Sequence, residues 1–358
     1  MSQVVVVGGG VAGLSVASAL ARRGRAVLLY ERETQLGAGS SAKSAAIFRL
    51  AVEEPVNVQL ALRGREIGRR LSPEGTIRAL GGFYPCAADD ERQRILEAAA
   101  FTGVREARPD ELPAPLGHRD RPALFSPQDG AIDVHTLIHG LAREARLAGA
   151  KLLTGTAAEA LDYSAGRVAG VRVASEVVPA EVVVDATGAW SPDFAPTDVG
   201  IRPHRRHLFV LDTPHASAFA QVVWDLSTHL YLRPESGGLL VSPCDEEPMP
   251  ATDHVPTSSE AGSLLFQKLA TWAPALQDAR VRTVWAGLRP LTADHRFVVG
   301  FDPRVPGLFR LGGFGGHGMT AGAAAGELAA AMLCGESPPE ARELDPARFA
   351  RVPSSCAP

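Results

Sequence analysis

The sequence predicts an α/β protein of two lobes, one built on a parallel sheet and the other on a mainly antiparallel sheet. A chain of 358 residues is long for a single hydrophobic core. Glycine-rich turns, each between an apolar strand and a helical segment, lie near both ends of the chain at residues 8–13 and 312–318, which is typical of a parallel sheet. Short strand-like segments lie between them and predict the second sheet, at residues 205–211, 221–225, 230–233 and 238–242.

The N-terminal segment reads as a strand, a glycine turn, a helix and a second strand. Residues 4–7 (VVVV) suit a buried parallel strand, and the turn GGGVAG follows at residues 8–13. We expect Gly8 to make the tight turn, Gly10 to let a pyrophosphate approach the backbone, and Gly13 to let the helix pack on the sheet. Gly24 suits the end of that helix, and Glu31 follows the second strand, where a carboxylate can accept ribose hydroxyls. This order predicts a Rossmann-like site for a dinucleotide.

Composition excludes several other classes of function. The net charge is −4, with 46% hydrophobic and 21% charged residues, so no strong positive field favours nucleic acid or an anionic membrane. The four cysteines are scattered without the spacing of a metal or redox site, and we expect no metal and mostly structural thiols; they are Cys86, Cys244, Cys334 and Cys356. No apolar run approaches the ~20 residues of a membrane span, and no leader precedes the first strand, which predicts a cytoplasmic protein.

Three further segments favour FAD over NAD as the dinucleotide. Residues 37–46 (GAGSSAKSAA) are small and hydroxylic and can wrap a pyrophosphate and the flavin edge. Residues 182–190 (VVVDATGAW) run from a buried strand into a small-residue turn. Residues 308–320 (LFRLGGFGGHGMT) repeat the strand, glycine loop and helix, with the helix reaching about residue 333, and that helix N-terminus can stabilise negative charge on a reduced flavin. An NAD domain does not need this returning unit.

Two smaller segments fit the same lobe. Residues 132–149 predict a helix with Asp133 as its N-cap. Residues 151–155 and 168–173 predict short strands, with a turn at 164–166.

With these motifs the chain resembles the D-amino-acid-oxidase-like family of FAD enzymes, which includes glycine and sarcosine oxidases, D-amino-acid dehydrogenases and 2-hydroxyglutarate dehydrogenases. The resemblance covers nearly the whole chain and is most specific to the bacterial D-arginine dehydrogenase branch, at residues 44–46, 204–206, 231–234 and 285–289. It implies a glutathione-reductase-like architecture with a discontinuous FAD lobe at 1–74, 130–203 and 290–345. The substrate lobe then comprises 75–129 and 204–289, and 346–358 is a tail that frays from residue 353.

The motifs and the resemblance together place a set of residues at the cofactor. No cysteine lies near Gly287, where some relatives attach the flavin covalently, so we expect noncovalent FAD. The set is Gly8, Gly10, Val11, Ala12, Gly13, Glu31, Arg32, Ser40, Ser41, Lys43, Ser44, Ala45, Ala46, Ala157, Ala186, Gly188, Trp190, Arg289, Gly313, Gly315, Gly316, His317, Gly318, Met319 and Thr320.

An amino-acid substrate needs a clamp for its carboxylate, and an arginine fork bonds both oxygens at once. The resemblance implies that Arg289, Tyr231 and Arg206 form this clamp. His317 either orients groups around the flavin or is a polar residue at a helix start, and His295 is expected to be structural.

Departures from the D-arginine dehydrogenase pattern bear on the side-chain pocket. Gly82 stands where that branch has an acidic residue for the basic substrate side chain, and Ile47 and Val52 replace a histidine and a tyrosine. We therefore expect the carboxylate clamp to be kept, and a smaller, more apolar or specialised amino acid to be the substrate.

The predicted function is that of an FAD-dependent amino-acid dehydrogenase or oxidase. It would transfer hydride from Cα of an amino acid, of D configuration by the resemblance, to flavin N5, giving an imino acid that hydrolyses to a 2-oxo acid and ammonia. Oxidation of an N-alkyl glycine or a 2-hydroxy acid, and a flavoprotein subunit without turnover of its own, are the alternatives. The electron acceptor (oxygen, a quinone or another carrier) and the oligomeric state stay open.

Overall fold

The computed structural model describes residues 3–349 of the chain. The predicted frayed end at 353–358 and Cys356 lie outside these residues. Within them the strands are β1 (Gln3–Val7), β2 (Ala26–Tyr30), β3 (Ile47–Phe48), β4 (Ile77–Ala79), β5 (Gly82–Pro85), β6 (Arg105–Glu106), β7 (Ala123–Ser126), β8 (Gly130–Ile132), β9 (Lys151–Leu153), β10 (Ala158–Ser164), β11 (Arg167–Val173), β12 (Glu176–Pro179), β13 (Val182–Asp185), β14 (Ile201–Asp212), β15 (Val222–Asp225), β16 (Leu230–Glu235), β17 (Gly238–Ser242), β18 (Glu247–Pro248), β19 (Arg280–Thr292), β20 (Val298–Phe301) and β21 (Leu308–Gly312).

The helices follow the apolar patterns of the sequence. Over the described residues they are α1 (Val11–Arg22), α2 (Pro55–Leu71), α3 (Asp89–Ala99), α4 (Val134–Leu147), α5 (Ser191–Phe194), α6 (Ser259–Trp272), α7 (Gly318–Leu333) and α8 (Ala341–Leu344). Gly24 has a φ of +76° just after α1, and its N–H donates to the carbonyl of Ala21, which confirms the predicted helix end. The Asp133 side chain accepts from the N–H of Thr136 and caps α4, also as predicted.

The first lobe is built on a six-stranded sheet in the order β20-β21-β13-β1-β2-β9. Its strands are parallel except for β20, which runs antiparallel to β21. Val4, Val5 and Val6 of β1 are fully buried because helices cover one face and the β10-β11-β12 sheet packs on the other. The glycine turns after β1 and β21 therefore open at the same edge of one sheet.

The second lobe is built on a nine-stranded sheet in the order β18-β14-β17-β16-β15-β5-β7-β6, with β19 also paired to β14. Its pairings are antiparallel except that of β5 with β15. The predicted combination of a parallel and a mainly antiparallel lobe is confirmed. The lobe boundaries given above stay a prediction.

Several strands differ from the sequence-based predictions. β14 begins at Ile201 rather than 205, and β9 ends at Leu153 rather than 155. β10 was not predicted, because its side chains face water over most of its length and leave no apolar alternation. β19 was also missed, since its first five residues are exposed and only the second half is buried.

Candidate active site

A cavity of about 780 Å³ lies where the carboxyl ends of β1, β2 and β13 face the antiparallel sheet. This volume is within the range of about 300–1,000 Å³ that is usual for small-molecule sites. Every residue predicted at the cofactor lines this cavity except Gly13 and Gly313. The four predicted substrate or catalytic residues line it too: Arg206, Tyr231, Arg289 and His317.

The first glycine turn is shaped by close backbone packing. Gly8 has a φ of +107°, and a Cβ there would lie 2.4 Å from the carbonyl oxygen of Ala186. A Cβ at Gly13 would lie 1.8 Å from the carbonyl oxygen of Gly8, so Gly13 serves the packing of α1 rather than the cavity wall. Gly10 is the N-cap of α1 and has no side-chain cap, which leaves the positive end of the helix open to an anion in the cavity.

Glu31 closes the adenosine side of this turn in the predicted scheme. Its carboxylate accepts from the N–H of Gly9 at 2.6 Å and from the N–H of Glu33 at 2.8 Å. Each carboxylate oxygen keeps a lone pair for a further donor. Arg32 follows, with its guanidinium carbon 4.0 Å from the centroid of the Trp190 ring, and it pairs with Asp253. Residues 252–255 lie across the cavity wall at this point.

The loop at residues 37–46 contributes hydroxyl groups, as predicted. Ser41 Oγ accepts from the N–H of Val11 at 3.1 Å, which ties the loop to the start of α1. Ser44 Oγ is buried on the cavity wall, and the structure gives it no hydrogen-bond partner among residues 3–349. A buried hydroxyl without a partner is unfavourable, so a ligand in the cavity is its natural partner.

The second glycine turn places another helix end at the cavity. His317 is the N-cap of α7 and, like Gly10, makes no side-chain cap. Burial, together with the nearby charges of Arg49 and His295, lowers the pKa of His317 to about 4, so its ring is neutral near pH 7. The Thr320 hydroxyl donates to the carbonyl of Ile47 at 3.1 Å and is thus already used. Gly313 lies behind the wall, where it packs against Thr292 and Val298.

Arg289 and Tyr231 form the substrate end of the cavity. Arg289 is only 6% exposed, and its Nη2 donates to the carbonyl of Lys43 at 3.1 Å. Among residues 3–349 it has no carboxylate within ion-pair distance. Burial lowers the pKa of Arg289, which neighbouring Tyr231 partly offsets, and burial raises the pKa of Tyr231. A protonated phenol beside an uncompensated guanidinium suits a bound carboxylate.

Arg206 also lines the cavity but is differently placed from the prediction of a free clamp residue. Its Nε donates to the carbonyl of Asp245 at 2.7 Å, and its Nη2 forms an ion pair with Glu246. Its neighbours on β14 pair in the same way, Arg205 with Glu247 and His207 with Asp245. Arg206 thus holds the segment after β17 and has less charge to offer a substrate than Arg289.

The residues that depart from the D-arginine dehydrogenase pattern lie in different parts of the structure. Ile47 lines the cavity, whereas Val52 is buried in the core behind it. Gly82 lies in β5, where a Cβ would come within 2.9 Å of the Tyr84 hydroxyl. An acidic side chain at position 82 would therefore displace Tyr84.

The sequence analysis missed several cavity residues, and the two with the most chemical consequence are Arg49 and Trp224. The one signal for Arg49 is a charge between two apolar residues, Phe48 and Leu50, both fully buried. Trp224 gave no signal, because its position depends on the pairing of β15 with β5 and β16, which joins distant segments.

Residues 3–332 match the DAO family, described as FAD dependent oxidoreductase. This match covers far more than half of the chain. The chain belongs to the DAO family. It is accordingly an FAD-dependent oxidoreductase, and the open ends of α1 and α7, the glycine cradle and the orphaned Ser44 hydroxyl fit that cofactor.

Individual relatives agree with this family. The chain is 27% identical to FAD-dependent oxidoreductase domain-containing protein 1 of Bos taurus, with 93% of this chain and 81% of the relative covered. It is 25% identical to glycine oxidase of Bacillus licheniformis, with 92% of both covered. A crystal structure of L-proline dehydrogenase from P. horikoshii superimposes with a TM-score of 0.88 at 25% identity, covering 98% of both chains.

The chain spans about half the length of several other curated relatives, which are longer proteins. Within residues 3–349, no helix has the length and apolar character to span a membrane.

Proposed function

We propose that this protein oxidises the carbon–nitrogen bond of a free α-amino acid, whose carboxylate is held by Arg289 and Tyr231. The observation that carries the proposal is the charge of Arg289, which is buried on the cavity wall and has no carboxylate partner in the described part of the chain. Removing a cation from water costs several kcal/mol unless an anion restores the balance. A substrate carboxylate supplies that anion and places the adjacent Cα at a fixed point in the cavity.

Bound FAD supplies the two-electron acceptor for the Cα–H bond. The protein's own residues orient the substrate and exclude water. Tyr231 keeps its proton, because burial raises its pKa, and can donate to the second carboxylate oxygen. Ile47 and Phe314 line the cavity with apolar surface. The low pKa of His317 keeps that ring neutral, so it does not repel the ammonium form of an arriving amino acid.

The resemblance to the D-arginine dehydrogenase branch is the one reason to propose the D enantiomer, since a carboxylate clamp by itself holds either enantiomer. The product would be an imino acid, which hydrolyses to a 2-oxo acid and ammonia. Gly82 stands at the position where the resemblance implies an acidic residue for the guanidinium, so we propose a substrate other than arginine.

A second candidate is oxidation of a secondary amine such as proline or an N-alkyl glycine. The specific observation in its favour is the similarity to the L-proline dehydrogenase structure, at 25% identity over 98% of the chain. The same clamp would hold the carboxylate of either class.

Anaerobic bleaching of the flavin absorbance tests the proposal. The purified holoprotein is mixed with D- and L-amino acids, N-methyl amino acids, proline and 2-hydroxy acids, and the product mixture is assayed for ammonia. Bleaching by a primary amino acid with release of ammonia supports the proposal. Bleaching by a secondary amine without ammonia supports the second candidate. Bleaching by a 2-hydroxy acid alone overturns both, and no bleaching by any class indicates a flavoprotein subunit without turnover.

A further inference from the structure

Arg49 is a second guanidinium on the cavity wall, directly after β3. Its guanidinium carbon lies 4.5 Å from the centroid of the Trp224 ring and 5.1 Å from that of Tyr84. Its Nε donates to the carbonyl of Ala51 at 2.7 Å. The structure gives its two Nη groups no acceptor among residues 3–349, so the open side of the fork faces the cavity.

The arginines of the cavity wall fall into two classes. Arg32 and Arg206 are neutralised by ion pairs with Asp253 and Glu246. Arg49 and Arg289 have no ion pair within the described part of the chain. Two aromatic faces stabilise a cation by about 0.5–2 kcal/mol each at most, which does not replace a counter-charge.

Asp129, a buried acid whose charge interacts with Arg49, makes its hydrogen bonds to other groups. Its carboxylate accepts from the hydroxyls of Tyr84 and Ser126 and from the N–H of Leu50. Burial raises the pKa of Asp129, which weakens it further as a counter-charge. Asp129 thus positions both the Tyr84 ring and the backbone beside Arg49, and it acts on Arg49 through its field without forming an ion pair with it among residues 3–349.

The two uncompensated guanidiniums lie at the two ends of one aromatic pair. Trp224 stacks against Tyr231 with ring centroids 4.5 Å apart, and Tyr231 neighbours Arg289. Arg49 contacts the other member of the pair, Trp224, on strand β15. Because Trp224 and Tyr84 belong to the antiparallel sheet, Arg49 is held against the wall that this sheet contributes to the cavity, and its charge also acts on His317 at the second glycine turn.

We propose that Arg49 binds a second carboxylate of the substrate, so that the protein selects amino acids carrying an acidic group on the side chain or on the amino nitrogen. This inference rests on the proposed function, in which Arg289 holds the α-carboxylate. A planar guanidinium fork bonds a carboxylate bidentately and discriminates against an uncharged group of the same size.

Binding of inert carboxylates to the holoprotein tests the subsite without turnover. Glutarate and pentanoate have the same chain length but two and one carboxylates, and their dissociation constants are measured from perturbation of the flavin spectrum. We expect glutarate to bind at least 30-fold more tightly in the wild type. Arg49→Met should abolish this preference, Arg49→Lys should retain part of it, and Arg289→Met should weaken both ligands. Arg202→Met, which removes an exposed arginine remote from the cavity, is the matched control.

Each other outcome overturns a separate part of the account. Equal binding of glutarate and pentanoate overturns the subsite, and so does an Arg49→Met protein whose affinity for FAD falls tenfold, since the cation would then serve the cofactor. A glutarate preference in a protein whose flavin no amino acid or amine reduces would uphold the subsite and refute the proposed function. Reduction by acidic and neutral amino acids alike, with equal kcat/KM in wild type and Arg49→Met, would uphold the proposed function and refute the subsite.

Discussion

At the residue scale, the decisive property of Arg289 is that its charge is buried and has no counter-charge within residues 3–349. Other arginines of the cavity wall are already paired with carboxylates of the protein, as Arg206 is with Glu246. Within residues 3–349, Arg289 donates to the carbonyls of Leu288 and Lys43, lies beside the Tyr231 hydroxyl, and has no carboxylate partner. A buried cation of this kind destabilises the free protein and is stabilised when an anion binds. This is the condition for a residue that binds substrate rather than one that only stabilises the fold.

His317 makes a prediction about acid stability. Its folded pKa of about 4 lies below the ordinary value near 6.5, so between these values the unfolded chain binds a proton that the folded chain does not. The free energy of unfolding contributed by neutral His317 is therefore complete above pH 6.5 and is lost as pH falls toward 4. We expect His317→Gln to reduce the pH dependence of chemical denaturation in that interval.

His204→Gln is the control for this measurement, because His204 lies outside the cavity wall, on β14. If His317→Gln and wild type lose stability in parallel between pH 6.5 and 4, the depressed pKa of His317 is refuted.

At the element scale, two glycines of the turn from β1 to α1 have different roles: Gly13 serves folding, and Gly10 is expected to serve cofactor binding. A Cβ at Gly13 would lie 1.8 Å from the Gly8 carbonyl oxygen, whereas one at Gly10 would meet only Ser41 Oγ at 3.4 Å. We expect Gly13→Ala to destabilise the protein by about 3 kcal/mol or more, as overpacking in a rigid core does. Gly10→Ala should cost less than about 1 kcal/mol in the apoprotein and weaken FAD at least tenfold.

Thermal unfolding of both apoproteins and FAD titration followed by fluorescence measure these effects. Wild-type FAD affinity in Gly10→Ala would contradict the assignment of this turn to the cofactor.

The element scale is also where the sequence was most informative. The end of α7 and both bounds of strand β17 match the prediction, because strand, glycine turn and helix carry strong local signals in apolar pattern and glycine position. Glu31 and the two turns could be assigned for the same reason. β10 and the first half of β19 could not, since their exposed side chains leave no periodic signal; strand pairing keeps them extended, with β11 in a hairpin for β10 and with the distant β14 for β19.

At the scale of the whole molecule, one buried charge network joins the sheet to the wall of the cavity. Arg310 on β21, only 1% exposed, donates to Asp302 at 3.0 Å and to Asp185 at 2.6 Å. Asp185 in turn accepts from the hydroxyls of Thr187 and Ser191, both at 2.6 Å, and so shapes the turn that lines the cavity.

Removing this cation would leave two buried carboxylates without a counter-charge. We expect Arg310→Met to lower the free energy of unfolding by about 3–5 kcal/mol and to weaken FAD through the displaced turn. The matched substitution Arg202→Met removes an exposed pair with Asp198 and should cost less than about 1 kcal/mol. Equal loss in the two variants, measured by denaturant unfolding, would refute the structural role of the network.

The cavity forms only when both sheets are assembled, which limited its prediction from the sequence. Arg49, Trp224 and Arg289 are far apart in the chain and meet because β15 pairs with β5 and β19 pairs with β14. The residues of the proposed clamp were picked out by the resemblance and not by any local pattern. The pairing of Arg206 with Glu246 and the exposure of Arg49 to the cavity arise only from the assembled sheets.

The carboxylate clamp is tested most directly by comparing an amino acid that bleaches the flavin with its own carboxamide, in wild type and in Arg289→Met. Loss of a charge-assisted bidentate contact costs about 3 kcal/mol, or about 100-fold. We therefore expect anaerobic kcat/KM of the wild type to fall about 100-fold or more from acid to amide, and that of Arg289→Met to be equally low for both. If the wild type oxidises the amide as well as the acid, or if Arg289→Met keeps the preference for the acid, Arg289 does not hold the substrate carboxylate.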